Sequence, residues 1–140
     1  MTAEGMISTH PARPHWLPPD SVIDAVAAGR WWDAIAVDGP LGRLTAEHYL
    51  RHDGAQGPIL CDPGGPVPRV YFLTPVRTAD QWRETGSLAL GTCCYVALTG
   101  TLTSDTLGVH WLTPPLCRRP EPLVSPHQLR TALAEARAAL

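Results

Sequence analysis

The chain has 140 residues, of which 44% are hydrophobic, and a formal charge of −2 at pH 7. This length and composition predict one globular domain rather than a disordered chain. The charge gives no electrostatic reason to expect nucleic acid or an acidic membrane surface as a partner. All 11 basic residues are arginine. Because lysine is absent, Schiff-base enzymes, Walker-type phosphate loops and Ser-x-x-Lys acyl-transfer sites are excluded.

The cysteines and the apolar runs indicate a cytoplasmic protein. Cys61, Cys93, Cys94 and Cys117 show no C-x-x-C spacing, which favours small buried side chains in a reducing compartment over a zinc or redox site. The first residues lack the basic and apolar regions of a secretory signal. No apolar run approaches the ~20 residues that a membrane helix needs. The absence of lysine and asparagine, whose codons are AT-rich, indicates a GC-rich bacterial genome.

The first third of the chain is predicted to contain a leader, two helices and a strand. Residues 1–19 are rich in proline and are expected to form a flexible leader, with residues 20–140 as a single domain. Ser21 is placed to cap a first helix that ends at Gly29. A strand is predicted over residues 31–37, then a turn at Asp38-Gly39-Pro40 and a second helix over residues 41–52.

Strands dominate the remainder of the chain. Short apolar runs bounded by Pro or Gly predict strands at 58–62, 69–74, 88–90, 93–99 and 109–112, the first two joined as a hairpin. Thr78 is expected to cap a short helix. Ser125, Pro126 and Gln128 form the start signal of a final helix. This order predicts an α/β fold of the α+β kind, with helices packed on a single mixed, largely antiparallel sheet.

The sequence carries no recognisable catalytic constellation. No two acidic residues are two positions apart, as converging carboxylates on one strand require, and no serine lies in a G-x-S-x-G elbow. His48 and His52 have the i, i+4 spacing of a helical metal site, but the Glu of an H-E-x-x-H motif is missing and no third ligand is evident. We therefore expect no catalytic residue, no metal and no cofactor.

Tryptophan is the residue type that points to an interaction surface. Trp31 and Trp32 are adjacent on a predicted strand, so their indole rings point to opposite faces of the sheet. Each face must then bury one indole ring. Exposed aromatic residues are enriched at binding hot spots. Trp31, Trp32, Trp82 and Trp111 are accordingly the candidate interface residues for a protein partner or a homodimer.

Four segments carry a family resemblance: VYFLTP at 70–75, TADQW at 78–82, LGTCCYV at 90–96 and GVHWLTPP at 108–115. They resemble small actinobacterial proteins, often of Streptomyces, related to the N-terminal domain of bifunctional DNA primase/polymerases. The resemblance spans residues 31–140 and implies an α/β sheet fold. It also implies, in active members, an acidic pair, a nucleotide-contacting Ser-x-His motif and a further acid.

This chain departs from the catalytic part of that pattern. The acidic pair is missing. Ser8 and His10 lie in the leader, and Ser125 and His127 open the last helix, where capping already explains the serine. The resemblance therefore implies kinship of fold without the polymerase chemistry.

Three functions stay open at this point. The first is a non-catalytic, cytosolic regulatory domain that acts through protein contacts. The second is nucleic-acid or nucleotide binding, with Arg69, Arg77, Arg118 and Arg119 as phosphate contacts. The third is a metal-dependent enzyme that uses His48, His52 and Asp53.

Overall fold

The computed structural model describes residues 13–103 and 108–140. The elements found there are β1 (Ile23–Ala27), β2 (Asp33–Asp38), α1 (Gly39–Leu50), β3 (Ile59–Asp62), β4 (Arg69–Thr74), α2 (Thr78–Gln81), β5 (Leu88–Leu90), β6 (Tyr95–Thr99), β7 (His110–Thr113) and α3 (Pro126–Ala139).

Five strands form the main sheet, in the order β5-β2-β4-β3-β7, and each pairs with its neighbour in antiparallel fashion. Strands β2 and β4 pair along their whole length, from Asp33 with Thr74 to Asp38 with Arg69. The predicted hairpin of β3 and β4 is present, with Cys61 opposite Val70. The expected α+β class, with antiparallel pairing, is confirmed.

Helices α1 and α3 cover one face of the main sheet. Alternate residues of its strands, such as Ile35 and Phe72, point to this face and pack against Tyr49 of α1 and Leu133 of α3. Helix α3 begins as the sequence predicts, because the Ser125 side chain accepts a hydrogen bond from the Gln128 amide at 3.2 Å. The backbone N–H of Ser125 donates to the Tyr49 hydroxyl, which ties the start of α3 to α1.

The opposite face of the main sheet is covered by a second, two-stranded sheet. Strands β1 and β6 pair antiparallel with each other, from Ile23 with Thr99 to Ala27 with Tyr95. Val96 and Leu98 of β6 pack against Ala34 and Leu73 of the main sheet. The molecule therefore has three layers: helices, the five-stranded sheet and the two-stranded sheet.

The strands form two sheets rather than one because the segment predicted as the first helix is strand β1. Val22, Ile23 and Val26 are β-branched residues that suit a pleated surface better than a helix. Ser21 has a φ of 68°, so it turns the chain into β1 instead of capping a helix.

Three local predictions are also corrected. Cys93 has a φ of 75° and lies in the turn before β6, so Cys93 and Cys94 are not alternating strand residues. Asp38 precedes α1 directly instead of opening a turn, and its side chain caps nothing. The residue at the cap position of α2 is Arg77, with a φ of 81°, and the Thr78 hydroxyl donates to the carbonyl of Pro75.

The structure describes only the last part, residues 13–19, of the segment predicted as a leader. Residues 1–12 lie outside the described part, but residues 13–19 pack on the domain. Trp16 is 5% exposed and its ring meets that of Trp32 edge-on at 5.7 Å. A Cβ added to Gly100 would lie 1.9 Å from the carbonyl oxygen of Pro19, so this segment passes directly over the end of β6. None of the helices in the described ranges is both long and apolar enough to cross a bilayer.

Candidate functional site

The strongest candidate site is a cleft of about 710 Å³. It lies between residues 13–19, which we call the N-terminal segment, and the loop that precedes α3. We call it the basic cleft. Its lining residues are Pro14, His15, Cys117, Arg118, Arg119, Pro120 and Glu121. Its volume lies within the range of about 300–1,000 Å³ that is usual for ligand pockets.

Buried contacts of the N-terminal segment hold one wall of the basic cleft in place. The Arg13 guanidinium donates to the carbonyl oxygens of Pro18 at 2.6 Å and Gly100 at 2.9 Å. The Trp16 indole N–H donates to the Glu121 carboxylate at 3.2 Å, which joins the two walls. This bond also engages the one acidic side chain that lines the cleft.

Aromatic rings adjoin the arginines at this site. The exposed ring of His15 meets the ring of Trp31 edge-on, with 5.0 Å between their centroids. The Arg30 guanidinium lies over the Trp31 ring at 4.6 Å, within the range of a cation–π contact. Aromatic rings and positive charges thus occur together, a combination that suits a phosphate-bearing ligand with a planar base.

The arginines of this site are not neutralised by acids. Within the described ranges, no carboxylate lies at ion-pair distance from Arg30, Arg118 or Arg119. The nearest polar partner of Arg118 is the side-chain oxygen of Gln56, at 3.5 Å. All three arginines are exposed. Their charge is therefore available to an anion.

The structure divides the four arginines that the sequence analysis selected. Arg118 and Arg119 lie together in the basic cleft. Arg69 instead forms a two-pronged ion pair with Asp38, with nitrogen–oxygen distances of 2.5 and 3.1 Å. Arg77 lines a different cleft, beside Asp33 and Asp80. Only two of the four residues thus contribute to one surface.

The ion pair of Arg69 shifts the pKa of both partners. The hydrogen bond from Arg69 is the main cause that lowers the pKa of the Asp38 carboxyl, and the same bond raises the pKa of Arg69. Arg69 also lies opposite Asp62 on β3, between two acidic neighbours. Its charge is balanced within the sheet, so Arg69 is a structural residue and a poor phosphate contact.

The tryptophan prediction is wrong for three of its four residues. Trp32 and Trp111 are 0% and 1% exposed, and Trp82 is also buried, so none of them offers an interface. Trp111 donates its indole N–H to the carbonyl of Thr99 at 2.9 Å within the core. Trp31 is half-buried and takes part in the aromatic group beside the basic cleft.

His48 of α1 and His52, which lies just beyond the end of α1, meet an acidic residue that the sequence analysis did not find. Glu135 of α3 approaches His48 at 3.4 Å and His52 at 3.8 Å through the same carboxylate oxygen. Asp53 takes no part in these contacts. In the described residues, no group of three or more His, Cys, Asp or Glu side chains is arranged to hold a metal ion. The contacts link α1 to α3.

The two Ser-x-His segments provide no nucleotide site in the described chain. Ser125 is used as the helix cap, and Ser8 and His10 lie outside the described residues. Sequence reasoning missed His15, Arg30 and Glu121. The only local signal was the alternation of basic and aromatic residues at Arg30-Trp31 and His15-Trp16.

The comparisons with known proteins identify no relative: no protein-family model, curated protein or solved structure matches the chain.

Proposed function

We propose that this domain binds single-stranded nucleic acid in the basic cleft and catalyses no reaction on it. The observation that carries the proposal is the placement of unpaired Arg118 and Arg119 next to the His15–Trp31 ring pair, with Arg30 on the Trp31 face. Proteins that bind single strands without sequence preference use two elements: positive side chains that contact the phosphates and aromatic rings that stack on the bases. The net charge of the chain is −2, so attraction to phosphates would have to come from this local group of arginines.

The proposed kinship with primase/polymerase domains agrees with this function in its non-catalytic form. Such an ancestor handled nucleic acid, and a descendant without the acidic pair would retain binding alone. The four cysteines are free thiols, which agrees with the reducing cytoplasm where we place the protein, although Cys93 and Cys117 are exposed rather than buried as the sequence analysis predicted.

The test is fluorescence anisotropy of a dye-labelled oligothymidylate, measured over a range of salt concentrations. We expect binding at low salt that weakens as salt rises, because phosphate contacts release counterions. The double variant R118Q/R119Q should bind more weakly, and the slope of log K against log salt should become less negative by about 1.4, the value for two lost contacts on a single strand.

The matched control is R43Q/R83Q, which removes the same charge from exposed arginines that do not line the basic cleft. It should leave both affinity and salt slope close to those of the wild type. Absence of binding at low salt, or an equal loss in both double variants, would contradict the proposal.

A second candidate function is self-association through the outer face of the β1–β6 sheet. Ile23, Ala25, Tyr95 and Ala97 form an exposed, uncharged strip there, with Tyr95 66% exposed. In the described chain neither β1 nor β6 pairs with a third strand. An exposed strip without charge can pair with the same strip of a second copy, so a second copy of the chain is the partner that fits it.

Light scattering after size-exclusion chromatography tests this candidate. The wild type should be a dimer that Y95E converts to a monomer, since the substitution buries a charge in the contact. The control L50E, on the exposed side of α1, should remain dimeric. A wild-type monomer at every concentration would exclude the idea.

A further inference from the structure

A second cleft, lined at one point by the first residue of β2, contains a buried carboxylate with an unsatisfied oxygen. We call it the Asp33 cleft. Its volume is about 300 Å³, and its lining residues are Gly29, Asp33, Val76, Arg77, Asp80 and Thr92. Asp33, the first residue of β2, is 2% exposed. It is the only acidic side chain among the described residues that is this deeply buried.

The two oxygens of the Asp33 carboxylate have different surroundings. Oδ2 accepts a hydrogen bond from the Ala79 amide at 2.9 Å, which holds α2 against the start of β2. Oδ1 is shielded from solvent and has no hydrogen-bond partner among the described residues. A buried carboxylate with an unpaired oxygen is costly unless a donor reaches it in a bound state.

Gly91 lies close both to this carboxylate and to α2. A Cβ placed there would lie 3.1 Å from the Cβ of Ala79 and 3.7 and 3.9 Å from the two Asp33 oxygens, so a side chain at this position would press on α2. Helix α2 is a single turn with no buried residue. The hydrogen bond from the Ala79 amide attaches this turn to Asp33, and a ligand reaches the shielded Oδ1 only if the surroundings of this oxygen shift.

The charges that line the Asp33 cleft select the kind of ligand. Asp33 and Asp80 are acidic, and Arg77 is the one basic residue of the lining. The Arg77 guanidinium is 84% exposed and lies 3.9 Å from Asp80, so it is directed to Asp80 and to solvent. The lining therefore carries an excess of one negative charge, which a ligand with one positive charge would balance.

We propose that the Asp33 cleft binds a small organic cation with a primary ammonium group, whose N–H donors reach Oδ1 of Asp33 and the carboxylate of Asp80. The volume of the Asp33 cleft, at the lower end of the usual range for ligand pockets, favours a small ligand. A divalent metal ion is a poorer fit, because the described residues offer no third acidic or histidine ligand there. This inference does not depend on the proposed nucleic-acid function.

The experiment is a titration followed by ¹⁵N–¹H NMR of the full chain, with propylammonium chloride as the probe. Saturable shifts are expected for the amides of Asp33, Ala79 and Gly91, which surround the carboxylate. Tetramethylammonium has the same charge but no N–H donor, so it should give no saturable shift at these amides. Equal shifts with both cations would overturn the proposal, and so would saturation by Mg²⁺ at lower concentration than by propylammonium.

Two variants and a control complete the test. D33N keeps an oxygen for the Ala79 amide but loses the charge, and should weaken propylammonium binding about ten- to hundredfold, as expected for the loss of a hydrogen bond to a charged group. D80N alters an exposed side chain, so it tests the site without risk to folding, and should weaken binding severalfold. D53N, an exposed acid outside the cleft, should bind as the wild type does. Wild-type affinity in D80N and in folded D33N would overturn the proposal.

Discussion

Two buried indoles differ in one hydrogen bond, and this difference can be measured. Trp111 donates to the carbonyl of Thr99, whereas the indole N–H of Trp32 has no acceptor among the described residues. Both side chains belong to the same core cluster, so replacement by Phe removes a similar volume from each site. We expect W111F to be less stable than W32F by about 1–3 kcal/mol, because it leaves the Thr99 carbonyl unpaired. Urea unfolding of the two variants checks this, and equal losses would contradict it.

The Asp38–Arg69 pair gives the stability of the protein a specific dependence on pH. Arg69 lowers the pKa of Asp38 in the folded state, so the pair stabilises the fold above the ordinary aspartate pKa of about 3.9. This contribution disappears as the pH falls from about 4 through the lowered pKa. Both side chains are partly exposed, so we expect about 0.2–1 kcal/mol.

The measurement is the melting temperature of wild type and R69M between neutral pH and about pH 2, below the ordinary aspartate pKa. The stability difference between them should shrink as the pH falls through the acid range. Arg83 donates only to a backbone carbonyl, so the melting temperature of R83M should differ from that of the wild type by the same amount at every pH. A constant difference for R69M would show that the pair has no such role.

At the scale of elements, the N-terminal segment is a structural part of the domain. Trp16 packs on Trp32 and bonds Glu121, so it connects this segment both to the core and to the loop before α3. We expect W16A to destabilise the fold by about 3–5 kcal/mol, as for other buried aromatic truncations. L50A, at an exposed apolar position of α1, should change stability by less than about 1 kcal/mol. Thermal or urea unfolding distinguishes the two, and a small effect of W16A would mean that the segment is only loosely attached.

The elements also show which features the sequence was able to predict. The start of α3 was predicted correctly because its capping signal lies within four residues, Ser125 to Gln128. Strand β1 was missed because a pattern of five residues with an apolar side fits both the repeat of a helix and that of a strand. Only the pairing of this segment with β6 decides between the two. The basic cleft could not be assembled from local signals such as Arg30-Trp31 and His15-Trp16, since its two walls, joined by Trp16 and Glu121, are separated by most of the chain.

The burial of individual side chains could not be predicted from the local sequence either. Four tryptophans in apolar surroundings look alike in sequence, yet Trp31 is half-buried while Trp32, its neighbour, is fully enclosed. Trp32 lies inside the second core cluster, whereas Trp31 only packs against its edge. Arg69 and Arg118 were likewise indistinguishable until the pairing of β2 with β4 placed Asp38 beside Arg69.

At the scale of the whole molecule, the main sheet is shared by both cores. One core lies under α1 and α3, and the other lies under the β1–β6 sheet. Trp82 belongs to the first core, while Trp16, Trp32 and Trp111 belong to the second. Because the strands between them are common to both, we expect the protein to unfold as one cooperative unit.

Coincidence of two probes tests this expectation. Far-ultraviolet circular dichroism reports both helices and sheets, whereas tryptophan fluorescence is dominated by the second core. The two urea transitions should have the same midpoint and slope. A fluorescence transition at lower urea would show that the two-stranded sheet detaches first.

The pairing of β1 with β6 also has a kinetic consequence. Ile23 and Thr99 are partners although most of the chain separates them, whereas β3 and β4 are joined by a short turn. Closing the longer loop costs more conformational entropy, so the two-stranded sheet should assemble late, once the hairpin and its neighbours have already brought its strands together. Until then the face of the main sheet that β1 and β6 will cover remains exposed to solvent. During synthesis this apolar face is the surface that a chaperone would bind.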